Sequence, residues 1–156
     1  MKIKLIMIGK TTGDLYIDAI DDYTNRIKHY NNFSIHVIPG LKNTKKLSQE
    51  QQKQAEGELI LKELTAQDTV ILLDERGKGY RSMEFAKWLE NKQLTAQNIV
   101  FVIGGPYGFS DSIYKRANEK ISLSKMTFSH QMVRLIFVEQ LYRACTIIKG
   151  ESYHHE

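Results

Sequence analysis

The chain has 156 residues, enough for one domain with a substantial core, and that domain is expected to span residues 1–156. Its 42% hydrophobic and 26% charged residues are ordinary for a soluble globular protein, and no run of about 18 apolar residues is present to cross a membrane. The net charge of +4 permits an acidic partner such as nucleic acid without requiring one, and the opening MKIKLIMIGK is too short and lacks the cleavage site for a signal peptide.

Strands and helices alternate along the chain. Lys2–Ile8 is an apolar run stopped by Gly9. From Asp14 to Tyr30, Leu15, Ile17, Ile20, Tyr23 and Ile27 form a helical stripe. Phe33–Ile38 reads as a strand closed by Pro39-Gly40, and Lys42, Lys45 and Lys46 follow in a polar loop. Ser48 and Gln51 have capping-box spacing, which predicts a helix to about Leu64. Thr69–Leu73 and Asn98–Ile103 are continuous apolar runs, as expected of strands covered on both faces. Ser82 is placed to cap a helix through Leu89, and Ser110 to cap another. Ile121–Leu123 is a short strand, and a long helix runs from His130 to Lys149 with Gly150 as its stop. Cys145 lies inside that helix as a small core residue; a lone cysteine excludes an internal disulfide and points to a reducing, cytoplasmic setting. The pattern predicts an α/β domain with a mostly parallel sheet.

Three loops are candidate ligand sites. Gly9-Lys10-Thr11-Thr12 resembles the end of a phosphate loop, but position 4 is lysine where that loop needs glycine, so a strand-to-helix turn is the better reading. Asp74-Glu75-Arg76-Gly77-Lys78-Gly79 offers adjacent carboxylates that can bind a cation or pair with Arg76 and Lys78. Gly104-Gly105-Pro106-Tyr107-Gly108 lacks the GxGxxG spacing of a dinucleotide site and reads either as a tight turn or as a loop that admits a ligand close to the backbone.

LDERGK at 73–78, FVIGGPYG at 101–108, SLSKMTFSHQMVR at 122–134, EQLYRA at 139–144 and GESYHH at 150–155, in that order and spacing, resemble the RlmH family of small SPOUT-class methyltransferases. Ser129 stands where that family often has proline, and His155 where a basic residue is common. The resemblance implies an α/β sheet whose C-terminal part is threaded into a deep trefoil knot, a path that sequence reasoning alone would reject. It implies a homodimer that binds S-adenosylmethionine in the knot and methylates N3 of a pseudouridine in 23S ribosomal RNA, in the assembled ribosome. It further implies cofactor contacts from Leu73, Gly104, Leu123, Ser124, Lys125, Met126, Thr127 and Phe128. In that setting Gly104 gives room where a side chain would collide, and the apolar side chains pack a purine; the residues by themselves read as core.

The sulfonium methyl is already activated, so alignment supplies much of the rate. The ring N–H acceptor must lose a proton, and His154 is the candidate for that base or for orienting the uracil edge. Tyr153 can stack on or hydrogen-bond the base, and Arg143 can stabilise a developing anion or hold a phosphate. Glu139 precedes Arg143 by four residues on one helix face and can position its guanidinium. Without the resemblance, Glu139 and Arg143 also read as a surface pair and the tail as a loose end. His130 reads as a cap or structural residue as readily as a catalytic one. The helix from His130 to Lys149 is apolar on more than one side, which predicts a second subunit, with one tail approaching the other's cofactor pocket. A metal hydrolase using Asp74, Glu75 and the terminal histidines, for which no ligand spacing exists, and a non-catalytic RNA-binding protein are the rival classes; no metal is expected.

Overall fold

A computed structural model describes residues 1–155. Five strands form one wholly parallel sheet in the order β2-β1-β4-β3-β5: β1 (Lys2–Ile8), β2 (Asn32–Ile38), β3 (Asp68–Gly79), β4 (Asn98–Ile103) and β5 (Glu119–Ser122). Helices cover both faces: α1 (Asp14–Ile27), α2 (Gln49–Lys62), α3 (Ser82–Thr95), α4 (Asp111–Arg116) and α5 (His130–Ile148), with a short 3₁₀ turn at Thr44–Lys46.

Strand alternation divides the core into two layers. Ile99, Phe101 and Ile103 of β4 join Leu5, Ile71, Phe85, Leu89, Phe137 and Leu141 on the face covered by α1, α3 and α5. Val100 and Val102 point the other way, to Ile6, Leu72, Ile60 and Ile113 beneath α2 and α4. Both strand faces are therefore apolar, which is why the central strands read as unbroken hydrophobic runs.

Local chemistry sets most boundaries. Ser48 and Gln51 form the expected capping box. Gly150, at φ 73°, ends α5: its N–H donates to the Ile147 carbonyl and the Glu151 N–H to the Thr146 carbonyl, a Schellman arrangement. Other expectations shift. α3 starts at Ser82 and runs to Thr95, past the expected Leu89; Arg81 takes the cap position with its N–H on the Glu84 carboxylate, and the Ser82 hydroxyl donates to Gln140. Ser110 precedes α4 but caps nothing, because its hydroxyl pairs with that of Ser112. α1 ends at Ile27 rather than Tyr30, and β5 ends at Ser122, before Leu123. β3 continues to Gly79, well beyond Leu73.

That extension matters for the site. Leu73 pairs with Ile121, and after a bulge Lys78 pairs with the same Ile121 and Gly79 with Ser122. The 74–77 segment thus bows out and returns across the end of β5. Gly77 makes the crossing possible: a Cβ there would lie 2.6 Å from the backbone of Lys120 and Ile121. This crossing is consistent with a threaded C-terminal path.

Candidate active site

Ligand sites of open parallel sheets lie outside the carboxyl ends of the strands. Here the ends of β3, β4 and β5 surround a cleft of about 510 Å³, within the range of small-molecule sites. Leu73, Gly104, Leu123, Ser124, Met126, Thr127 and Phe128 line it together. Lys125 is exposed and lies outside the lining. Asp74, Glu75, Tyr107, Asp111, Tyr114, Lys53 and His130 are further wall residues.

Each wall is shaped locally. Gly105 accepts the Gly108 N–H at 3.1 Å, closing a turn around Pro106 and Tyr107 in which Gly108 takes φ 85°. A Cβ on Gly104 would sit 3.0 Å from the Phe109 ring, so this glycine answers first to the protein's own packing. The Ser122 hydroxyl donates to the Ser124 carbonyl, and the Ser124 hydroxyl accepts the Met126 N–H, both at 2.9 Å. These two bonds fold the 122–126 segment and leave Met126, 77% exposed, standing over the cleft. Asp74 is held by its partners: the Tyr114 hydroxyl and the Arg76 N–H both donate to it. Burial first, and then this carboxylate, push the Tyr114 phenol up to about 12. No cluster of three metal-ligating side chains exists among the described residues.

The cleft's remaining wall is the start of α5. Ser129 caps that helix by accepting the Met132 N–H, so His130 is not the cap. Burial, and then the Arg134 charge, hold the His130 imidazole below its usual range. Arg134 is 1% exposed and reaches the first loop, donating to the carbonyls of Ile8 and Gly9 and to the Thr11 hydroxyl at 2.8–3.0 Å. The Gln131 side chain accepts the Thr12 N–H. The Gly9–Thr12 segment is therefore a braced strand-to-helix turn.

The tail folds back along α5. Glu139 accepts from Arg143 at 2.6 Å and from the Tyr153 hydroxyl at 3.1 Å on one oxygen, and from Gln140 on the other. The Arg143 guanidinium also donates to His154 Nδ1 at 3.1 Å and lies 4.8 Å over the Tyr153 ring. That bond to Glu139 holds the guanidinium's pKa above its ordinary value. Burial, followed by the hydrogen bond shared with Tyr23, raises the Tyr153 phenol. Tyr30 donates to Glu151 at 2.7 Å, which pushes Tyr30 up to about 12. The four residues Glu139, Arg143, Tyr153 and His154 are thus one connected group, and the tail is pinned to α1 and α5.

This group does not line the cleft. His154 and His155 border a neighbouring cavity with Tyr80, Ser82, Ile136 and Gln140, and the two cavities meet at Ser122 and Leu123. Cys145 is buried, accepts from Asn31, and has its thiol pushed up to about 11 by burial, as suits a core residue.

A family described as "Predicted SPOUT methyltransferase" matches residues 1–154. The chain belongs to the SPOUT methyltransferase family. Relatives named ribosomal RNA large subunit methyltransferase H are 62% identical in Phocaeicola vulgatus and 60% in Bacteroides fragilis, each over 100% of both chains. The same name belongs to a Flavobacterium johnsoniae relative at 56% identity. A probable methylase family protein from Haemophilus influenzae has the same fold, with a TM-score of 0.54 at 14% identity over 95% of this chain and 66% of that one. Among the described residues, no helix is long and apolar enough to cross a membrane.

Seven of the eight residues expected to hold the cofactor line this cleft, and the four expected catalytic residues form the connected tail group. Sequence reasoning passed over Glu56, Arg134 and Tyr114. A glycine in mid-helix, Gly57 in α2, was the available signal for the first, since it marks close approach of another element.

Proposed function

We propose that this chain, acting as one domain, methylates large-subunit ribosomal RNA, taking the methyl group from S-adenosylmethionine and delivering it to N3 of a pseudouridine. The observation that carries the reading is the convergence of seven of the eight expected cofactor residues on one cleft at the strand ends. The residues suit the donor. Leu73, Leu123, Met126 and Phe128 offer apolar faces for a purine, and the glycine turn offers bare backbone. Asp74, Glu75 and Asp111 outnumber Lys53 and Arg76 around a cleft proposed to hold a sulfonium cation.

Bound S-adenosylmethionine supplies an activated methyl group, so the protein's task is to align the acceptor and manage one proton. Arginine can only donate, so the bond from Arg143 makes His154 Nδ1 an acceptor and leaves the N–H of a neutral ring on Nε2. In this arrangement His154 orients a uracil-type carbonyl by donating to it. Arg143, held by Glu139, sets that tautomer and brings positive charge to the anion formed when the ring N–H passes its proton to solvent water. Tyr153, anchored by Tyr23 and Glu139, offers an aromatic face for the base.

The tail group and the cleft border different cavities within one chain, and α5 carries half-buried Val133, Leu135 and Ile136. Both features support a homodimer in which one subunit's tail faces the other's donor cleft. With no separate RNA-binding domain, recognition rests on shape across two subunits and the ribosome, and a cytoplasmic setting follows from that substrate. Calorimetric titration with S-adenosylmethionine tests the reading: saturable binding, weakened by Met126→Asp, is expected, and absence of binding would leave the non-methylating alternatives.

A further inference from the structure

We propose that Glu56 is a positioning residue for the methyl donor: its buried carboxyl is the seat onto which the Gly104–Gly108 loop settles when donor binds, accepting a backbone N–H of that loop. This rests on the reading of the cleft given above.

Glu56 stands in the middle of α2 and is 3% exposed, the one buried carboxylate among the described residues. No cation pairs with it among the described residues. Lys53, one turn earlier, pairs with Glu50 instead. One carboxyl oxygen has no hydrogen-bond partner among the described residues, and the other has only a long 3.5 Å contact from Gln52. Burial accordingly raises the carboxyl's pKa. Both oxygens lie directly against Gly105, where any Cβ would collide with them. Gly105 lines the cleft, so the carboxyl supports the loop from the protein side while the donor meets it from the other.

Glu56 stands on an anchored helix. A Cβ on Gly57 would lie 2.5 Å from the Ser110 hydroxyl and 3.3 Å from Ile113, so α2 is locked against the start of α4. Within the loop, Pro106 has no N–H and the Gly108 N–H is already bonded to Gly105. On donor binding, the proposed settling of the turn would bring another loop N–H onto the orphan oxygen. An unpaired buried acceptor destabilises the fold that contains it, and such groups persist where function uses them.

Two substitutions in the full chain separate this role from simple packing. Leucine keeps the bulk of Glu56 without an acceptor; glutamine keeps the acceptor. Without donor, Glu56→Leu is expected to unfold at or above the wild-type temperature. It should bind S-adenosylmethionine about tenfold or more weakly by calorimetry, while Glu56→Gln stays within about threefold of wild type. Wild-type affinity in Glu56→Leu, a lowered unfolding temperature there, or equal weakening in both variants would overturn the inference. A wild-type chain that binds no donor would remove the reading of the cleft itself, and this inference with it.

Discussion

His154 and His130 illustrate how one residue type serves two purposes in one chain. His154 is set by its bond from Arg143, and on the proposed reading its substitution removes a contact to the acceptor base rather than to the donor. Changing His154 to alanine is therefore expected to slow methyl transfer by about 100-fold, with donor affinity within about twofold of wild type. Single-turnover assays and calorimetry check this, and parallel loss of both would mean that the tail shapes the donor cleft. His130 is held neutral by burial and by Arg134. Its folded pKa lies below the unfolded value of 6.5, so its contribution to stability is complete above that pH and is lost as pH falls through the folded value. Thermal unfolding followed from about pH 7.5 to about pH 5 should show this loss, reduced in His130→Gln. Residues such as Leu73, Gly104 and Phe128 were legible in the sequence because they sit in contiguous motifs. Arg134 and Glu56 were not, because the Gly9 carbonyl and the Gly105 backbone that define them lie far away in the chain.

Elements follow the sequence where the signal is local. The capping box at Ser48, the glycine stop at Gly150 and the unbroken apolar run of β4 each have a short-range cause. The departures arise where another partner competes. Ser82 is drawn to distant Gln140 of α5, and Ser110 holds the N-cap position of α4 but spends its hydroxyl on neighbouring Ser112. β3 extends past its apolar core because its polar second half finds β5 to pair with, a contact no periodicity reveals. Gly77 is the test of that crossing. Gly77→Ala drives a methyl group into backbone that cannot move aside, and it should cost about 2–3 kcal/mol in denaturant unfolding and weaken donor binding with it. Unchanged stability would show that the 74–77 bulge relaxes freely.

For the molecule as a whole, the alternation of strands and helices was enough to fix the α/β class, and the resemblance placed the cleft. Composition and spacing could not indicate how far the tail group stands from the donor site, because that separation depends on how the tail doubles back along α5. It is also why two subunits are proposed. Mixing His154→Ala with Met126→Asp chains should recover activity that neither has alone, since a mixed dimer contains one intact pairing of tail and cleft; no recovery would favour a site built within one subunit. The most direct measurement of the whole account is transfer of a labelled methyl group from S-adenosylmethionine to intact ribosomes by the purified chain. Label on N3 of a pseudouridine in the large-subunit RNA, absent with His154→Ala, is the predicted result. A chain that binds the donor yet leaves that RNA unlabelled would contradict it.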